Sequence, residues 1–187
     1  MTAAVWVVAG APGAGKSTVA ALLLQQVRPV PALLDKDTLF SGFADALLDG
    51  SGRSRGEREG SWYDEHVKAH EYAGMTAAAA QIRAAGCPVL LDAPFTGQIR
   101  DAGRWRSWTD ALGGEPVRLV WVRCDPATLL ARLTTRARAT DAGKLADFSA
   151  FVARVRPDEP PPVPHLAIDN RPGAAPLADQ VASALSA

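Results

Sequence analysis

The stretch that decides the fold is WVVAGAPGAGKSTVAALLLQQV, residues 6–27. An apolar run over 3–9 stops at a glycine, and such a run is typical of a strand that is covered on both faces. The residues after the glycines have helical spacing, with apolar side chains at Val19, Leu22, Leu23 and Val27. Pro29 and Pro31 end this predicted helix. The stretch therefore predicts a buried strand, a glycine-rich turn and a helix over 16–27.

The turn fits the phosphate-binding pattern G-x-x-x-x-G-K-[ST] from Gly10 to Ser17, and it lies between a strand and a helix, as the pattern requires. Glycines let backbone N–H groups approach an anion, and the start of the helix adds positive charge. Lys16 would reach the β- and γ-phosphates, and Ser17 offers a hydroxyl to Mg²⁺. A dinucleotide fingerprint would need a glycine where Thr18 stands. We therefore expect ATP and Mg²⁺ as cofactors. The expected phosphate-binding residues are Gly10, Ala11, Pro12, Gly13, Ala14, Gly15, Lys16, Ser17 and Thr18.

Strand and helix patterns alternate along the rest of the chain. Four more strands are predicted over 31–35, 88–93, 117–123 and 165–169. Further helices are predicted over 38–48, 62–85, 98–112, 126–139, 142–155 and 176–186. Near-continuous apolar strands that alternate with helices predict an α/β fold with a five-stranded parallel sheet flanked by helices. We expect residues 1–187 to form a single domain.

Composition limits the function classes. The chain has 187 residues and a formal net charge of zero, which argues against non-specific binding of nucleic acid. Cys87 and Cys124 have no metal-type spacing and are expected as buried thiols. The N-terminal apolar run lacks a basic flank and is too short to span a membrane. We therefore expect a cytoplasmic protein without a membrane partner, and the sequence leaves its oligomeric state open.

Three acids stand at the ends of predicted strands. Asp35 and Asp37 belong to LLDKDTLF, residues 33–40, and Asp92 ends PVLLDA, residues 88–93. The carboxyl ends of parallel strands face the ligand crevice, so a carboxylate there could accept the proton of an attacking hydroxyl or orient Mg²⁺. At this point two interpretations of Asp37 stay open, a general base or an N-cap of the next helix. Asp92 is the expected second metal-site residue beside Ser17.

A basic helix follows the fourth predicted strand. Arg132 and Arg136 are four residues apart, so they share one helix face, and positive charge beside transferring phosphate is what phosphoryl transfer requires. Arg138 and Lys144 are further candidates for the same task, and the sequence does not choose among them. The basic cluster over 50–59 lies in a predicted loop and is expected to be solvated.

Aromatic and histidine side chains in the middle of the chain are candidates for an acceptor pocket. Tyr63 and Tyr72 could line such a pocket, although core packing is the alternative for each. His66 and His70 are four residues apart, but they lack the glutamate of a zinc-protease motif. We expect the segment from about 40 to 75 to shape the acceptor site.

Seven stretches together resemble the small P-loop kinases of the zeta-toxin, chloramphenicol phosphotransferase and polynucleotide-kinase type, and more closely the actinobacterial "AAA-family ATPase" proteins of that group. They are GAPGAGKST, LLDKDTL, EYAGM, VLLDAPF, VRCDPATLLARLTTRA, DAGKLADF and HLAIDN. The resemblance implies a P-loop NTPase fold with strand order 2-3-1-4-5 and a small helical lid over about 132–145. It also implies that Asp37 is the catalytic base, that Asp35 supports it, and that Arg132 and Arg136 clamp phosphates.

The expected function is an ATP- and Mg²⁺-dependent kinase that phosphorylates a hydroxyl of a small molecule, such as an antibiotic or another metabolite. Its catalytic residues would be Lys16, Asp37, Arg132 and Arg136, and its substrate site would include Asp35, Asp37, Tyr63, Tyr72 and Asp92. Three alternatives are a polynucleotide 5′-hydroxyl kinase, a toxin-like kinase of nucleotide sugars, and an ATP-binding switch without transfer. The sequence identifies neither the acceptor nor a preference for ATP over GTP.

Overall fold

The computed structural model describes residues 2–186, and a five-stranded sheet in the order β2-β3-β1-β4-β5 lies at its centre. The strands are β1 (Val5–Ala9), β2 (Ala32–Asp35), β3 (Val89–Asp92), β4 (Val117–Arg123) and β5 (Leu166–Asp169). Every neighbouring pair is parallel. The expected parallel sheet and its order 2-3-1-4-5 are therefore confirmed. Across the described residues, no helix has both the length and the apolar character needed to cross a membrane.

Ten α-helices connect and flank the strands in the described part of the chain. They are α1 (Lys16–Gln26), α2 (Lys36–Gly50), α3 (Ser61–Tyr63), α4 (Ala69–Ala84), α5 (Thr96–Ile99), α6 (Ala102–Ala111), α7 (Pro126–Arg136), α8 (Ala142–Ala146), α9 (Phe148–Val155) and α10 (Leu177–Ser186). A π-helical segment, Asp64–Lys68, joins α3 to α4, and a 3₁₀ turn, Ala139–Asp141, precedes α8.

Aspartate caps explain where several helices begin. Asp35, Asp101, Asp125 and Asp147 each accept a hydrogen bond from the backbone N–H three residues on, at 2.6–3.0 Å. Such a cap satisfies one N–H that has no partner within the helix. Asp101 and Asp147 have backbones outside the helical region, so they divide the helices expected over 98–112 and 142–155 into two each. The helix expected over 62–85 is continuous, but it contains the π segment.

The apolar side chains of the sheet alternate between two cores. Trp6 and Val8 of β1 pack with α1, α7, α9 and α10 on one face. Val5 and Val7 pack with α4 and α6 on the other. Burial on both faces explains why the strands are continuous apolar runs.

A third cluster holds α2 against the helical segment 61–84. It consists of Ala44, Leu48, Tyr63 and Val67, all buried. This contact places α2 and the π segment beside each other at the carboxyl end of β2. The two elements form one wall of the cleft described below.

Adjacent leucines of α7 provide a test of the first core. Leu129 is fully buried and Leu130 is 42% exposed. We expect Leu129→Ala to lower the free energy of unfolding by about 2–5 kcal/mol, because it leaves a cavity behind the glycine-rich turn. The matched change Leu130→Ala should cost about 0.5 kcal/mol or less. Equal shifts of the urea midpoint for the two variants would contradict the packing described here.

Candidate active site

The glycine-rich loop between β1 and α1 has a backbone that other residues adopt only with strain. Gly10, Gly13 and Gly15 have φ values of +147°, +89° and +95°. A Cβ at Gly10 would lie 2.6 Å from the Val122 carbonyl oxygen, and one at Gly15 would lie 2.2 Å from Asn170 Nδ2. The glycines are therefore required by conformation and by the close approach of β4 and β5.

The loop has the geometry of an anion cradle. Within residues 2–186, no hydrogen bond occupies the backbone N–H groups of Gly13, Gly15, Lys16 or Ser17. These groups stand at the start of α1, where the helix dipole adds partial positive charge. The residues present thus fit a phosphate group. Ala11 and Ala14 are buried and support the loop from behind.

Lys16 lies inside the cleft with few partners. Its Nζ donates to the Ala11 carbonyl oxygen at 3.3 Å. Burial lowers the pKa of Lys16. The carboxylates of Asp92 and Asp37 oppose this shift, and the cations Arg136 and Lys36 add to it. A partly buried ammonium with a lowered pKa is stabilised by an anion placed beside it. Lys16 therefore fits the role of a phosphate ligand.

Asp92 ends β3 next to the loop and faces Ser17. Burial raises the pKa of Asp92, while Lys16 and the Ser17 hydroxyl oppose the shift. Asp35 and Asp37 raise the pKa further. Asp35 lies directly opposite Asp92 in the β2–β3 register. Three carboxylates that repel one another at one sheet edge favour a bound cation.

The residues present fit Mg²⁺ as well as phosphate. Among residues 2–186, no cluster of three or more His, Cys, Asp and Glu side chains has the arrangement of a metal site. Mg²⁺ does not need such a cluster, because it is held by one or two protein oxygens together with substrate phosphates and waters. The Ser17 hydroxyl and the Asp92 carboxylate are protein oxygens of this kind.

Asp35 and Asp37 have different tasks in the structure. Asp35 Oδ1 accepts from the Thr38 N–H at 2.6 Å and is the N-cap of α2. Asp37 lies in the first turn, with its side chain 69% exposed and Oδ1 3.2 Å from Lys36 Nζ. Burial raises the pKa of Asp37, but Lys36, Lys16 and Arg58 outweigh it and hold this pKa below its usual value. Asp37 is thus an ionised carboxylate that borders the cleft.

Arg132 and Arg136 project from α7 into the same cleft. Arg132 Nη1 is 3.4 Å from the Gly13 carbonyl oxygen and 3.3 Å from that of Ala14, and Nη2 donates to the Asn170 carbonyl oxygen at 3.0 Å. Arg136 makes a two-pronged ion pair with the fully buried Asp141. The two arginines therefore share a helix face as expected, but only Arg132 contacts the loop.

The cleft is one large cavity of about 960 Å³, lined mainly by charged and polar residues, that extends from the loop to α2 and the π segment. Residues of its far wall are Ser41, Asp45, Arg58, Glu59, Tyr63, Lys68, Glu71 and Tyr72. Arg58 is only 10% exposed and forms an ion pair with Asp45. Glu59 pairs with Lys144 and Arg154. The expectation of a solvated surface over 50–59 is therefore wrong at these two positions.

The structure brings most of the expected site residues together around this cavity, but Gly10, Ala11 and Ala14 are buried and do not line it. Gly13, Lys16, Ser17, Thr18, Asp35, Asp37, Tyr63, Tyr72, Asp92, Arg132 and Arg136 all line it, as do Arg138 and Lys144. Sequence reasoning missed Lys36, Glu71 and Asn170 as parts of the site. Their signals were weak, because Lys36 stood between two acids. Glu71 and Asn170 lay in stretches that indicated only a resemblance to the kinase group.

Three solved structures with the same fold are kinases or a candidate kinase. A candidate kinase from Chloroflexus aurantiacus has a TM-score of 0.67 and 24% identity, over 99% of this chain and 95% of that one. A gluconokinase from Sinorhizobium meliloti 1021 has a TM-score of 0.56 and 19% identity, over 99% of this chain and 90% of that one. The Mycobacterium tuberculosis APS kinase CysC, in complex with AMPPNP and APS, has a TM-score of 0.55 and 17% identity, over 98% of this chain and 95% of that one.

At these identities the likeness establishes a kinase-like P-loop fold and no more. No curated protein matches the chain. The finer grouping with zeta-toxin and chloramphenicol phosphotransferase-type enzymes stays a prediction. Residues 5–157, which include the loop, the strand-end acids and α7, match the AAA_33 family, whose description is AAA domain. This match covers most of the chain, and the protein therefore belongs to the AAA_33 family.

Proposed function

We propose that the protein is a kinase that transfers the γ-phosphate of ATP, with Mg²⁺, to a hydroxyl group of a small molecule. The observation that carries the proposal is the position of Asp37. This ionised carboxylate borders the cavity between the phosphate cradle at Lys16 and the polar wall formed by α2 and the π segment. A carboxylate in that place would have a hydroxyl acceptor on one side and a phosphate on the other.

The proposed reaction uses this chain's residues as follows. The loop N–H groups and Lys16 would bind the phosphates. The Ser17 hydroxyl and the Asp92 carboxylate would hold Mg²⁺, which would supply positive charge to neutralise the phosphate oxygens. Asp37 accepts the proton of the acceptor hydroxyl while the oxygen of that hydroxyl bonds to the γ-phosphorus. The bond from that phosphorus to the bridging oxygen breaks, and ADP leaves. Arg132 and Arg136 stabilise the charge that spreads over the transferring group.

Charge and shape favour a small acceptor over a polynucleotide. The cations of the far wall are already paired, Arg58 with Asp45 and Lys68 with Asp64. Lys36, next to this wall, pairs with Asp37 and Glu71. A polynucleotide needs unpaired cations along a groove to replace its counterions. A far wall lined by hydroxyls, carboxylates and paired cations suits a compact hydroxyl compound, such as an antibiotic or another polar metabolite.

An acceptor panel tests the proposal. Purified protein with Mg²⁺ and ATP is offered antibiotics, nucleosides, gluconate, APS and a 5′-hydroxyl oligonucleotide, and mass spectrometry detects an added phosphate. Gluconate and APS are included because kinases with these names share the fold. Phosphorylation of one small molecule is expected. Phosphorylation of the oligonucleotide alone would instead favour the polynucleotide kinase, and ATP binding without any product would favour a switch.

Asp37→Asn should separate phosphate transfer from ATP binding. The amide keeps the shape of the side chain but cannot accept the proton, so we expect kcat with the identified acceptor to fall about 10²–10⁴-fold. The Kd for ATP, measured by calorimetry, should change little. Asp110→Asn, on the exposed side of α6, is the control for removing one carboxylate. Normal turnover by Asp37→Asn would remove Asp37 from the role of base.

Gly15→Ala should weaken ATP binding. The added Cβ meets Asn170 at 2.2 Å, and φ of +95° strains any residue other than glycine. A strain of a few kcal/mol at the cradle predicts an affinity for ATP lower by about tenfold or more. Gly97→Ala is the matched control, because a Cβ there meets nothing within 4 Å and φ is not positive. Equal affinities in the two variants would show that the loop does not hold the phosphates.

A further inference from the structure

Lys36 lies between two carboxylates of different character. Its Nζ is 3.2 Å from Asp37 Oδ1 and 3.2 Å from Glu71 Oε2. The lysine side chain is only 12% exposed, and Glu71 is 3% exposed, whereas Asp37 is 69% exposed. The lysine therefore connects a buried acid to an acid that borders the open cleft.

Glu71 fixes the position of this lysine. A buried carboxylate is stable only when its lone pairs have partners, and removing one partner leaves an uncompensated charge. The other oxygen of Glu71, Oε1, accepts from the Tyr63 hydroxyl at 3.1 Å. Both carboxylate oxygens are thus satisfied, one by a hydroxyl and one by the ammonium. Lys36 cannot leave without isolating Glu71, so it differs from a mobile surface lysine.

Asp37, by contrast, has little else to hold it. An exposed aspartate in the first turn of a helix can sample several rotamers at low cost. Within residues 2–186, its only ion-pair partner is Lys36, at Oδ1, and no hydrogen bond occupies Oδ2. The lysine thus holds one oxygen in place and leaves the other available. A proton-accepting group acts efficiently only when its oxygen stays within hydrogen-bond reach of the reacting hydroxyl.

We propose that Lys36, anchored by Glu71 and Tyr63, is a positioning residue that holds the Asp37 carboxylate with Oδ2 free for the acceptor hydroxyl. The inference rests on the proposed function in taking Asp37 as the base. It adds that the base is positioned from the acceptor side of the cleft, through the chain Tyr63–Glu71–Lys36–Asp37. Tyr63 and Glu71 flank the π segment, so the wall that would bind the acceptor also orients the group that would deprotonate it.

The pKa of Asp37 is consistent with this arrangement. Burial raises this pKa, and Lys36 is the largest of the influences that lower it. The other charged and titratable groups that act on Asp37, or on which Asp37 acts, are Lys16 of α1, Arg58 of the loop before α3, Asp92 of β3, Tyr63 of α3 and Tyr72 of α4. Removing the ammonium of Lys36 should therefore move the pKa of Asp37 upward.

The test is an NMR titration of full-length protein labelled with ¹³C at aspartate carboxyls, in which Asp37→Asn assigns the signal. The variants are Lys36→Met and the double variant Lys36→Met/Glu71→Gln, which leaves no isolated carboxylate if the single variant fails to fold. In both we expect the Asp37 pKa to rise and its carboxyl signal to show rotamer averaging. Lys36→Arg should restore the behaviour of the unmodified protein. Arg55→Met, which breaks an exposed pair with Asp49, is the control.

An unchanged Asp37 titration in the double variant, or an equal change in Arg55→Met, would overturn the inference. With the acceptor from the panel, Lys36→Met should also lower kcat by about 10²-fold at unchanged KM for ATP and move the acidic limb of the pH profile upward. A fall in kcat that Lys36→Arg does not rescue would contradict it as well. The titration needs no acceptor. If no member of the panel is phosphorylated but the pKa of Asp37 rises in the Lys36 variants, the kinase activity is rejected and the positioning role of Lys36 is retained.

Discussion

The cleft depends on a steric constraint, since two positions of the glycine-rich loop have no room for a Cβ. A Cβ at Gly10 would meet the Val122 carbonyl oxygen of β4, and one at Gly15 would meet the side chain of Asn170, just after β5. Asn170 also donates to the Ala14 carbonyl oxygen at 2.7 Å and accepts from Arg132. Loop, sheet and α7 are therefore joined at one point. The N–H groups are oriented before any ligand arrives, which lowers the cost of binding an anion.

This preorganisation costs stability. Burial lowers the pKa of Lys16 and raises that of Asp92, so the charged form of each residue is less stable in the folded protein than in the unfolded chain. Lys16 therefore destabilises the folded state below its unfolded pKa, and Asp92 does so above its own, so both costs are present at neutral pH. Phosphate beside Lys16 and a cation beside Asp92 would relieve both. Such paired, opposite costs are typical of a site built for a ligand.

The fold could be predicted because its signals are local. Strand β4 was expected over 117–123 and is Val117–Arg123, since a run buried on both faces shows its length directly. Helix α7 likewise begins at Pro126, where the helix over 126–139 was expected to begin. The π segment Asp64–Lys68 could not be predicted. It lies where Tyr63 bonds to Glu71 and Val67 packs on α2, and these tertiary contacts leave no trace in apolar spacing.

For the site, residue types at strand ends were predictable and their partners were not. The acids of β2 and β3 had to meet, because parallel strands end at one edge, whereas the Lys36–Glu71 pair joins residues 35 apart. The choice between cap and base for Asp37 shows the difference. Asp35 occupies the cap of α2, so Asp37 falls at the second residue of the first helical turn and its carboxylate is not consumed by backbone N–H groups. The helix cap two residues earlier thus leaves Asp37 available for the proton transfer that we propose.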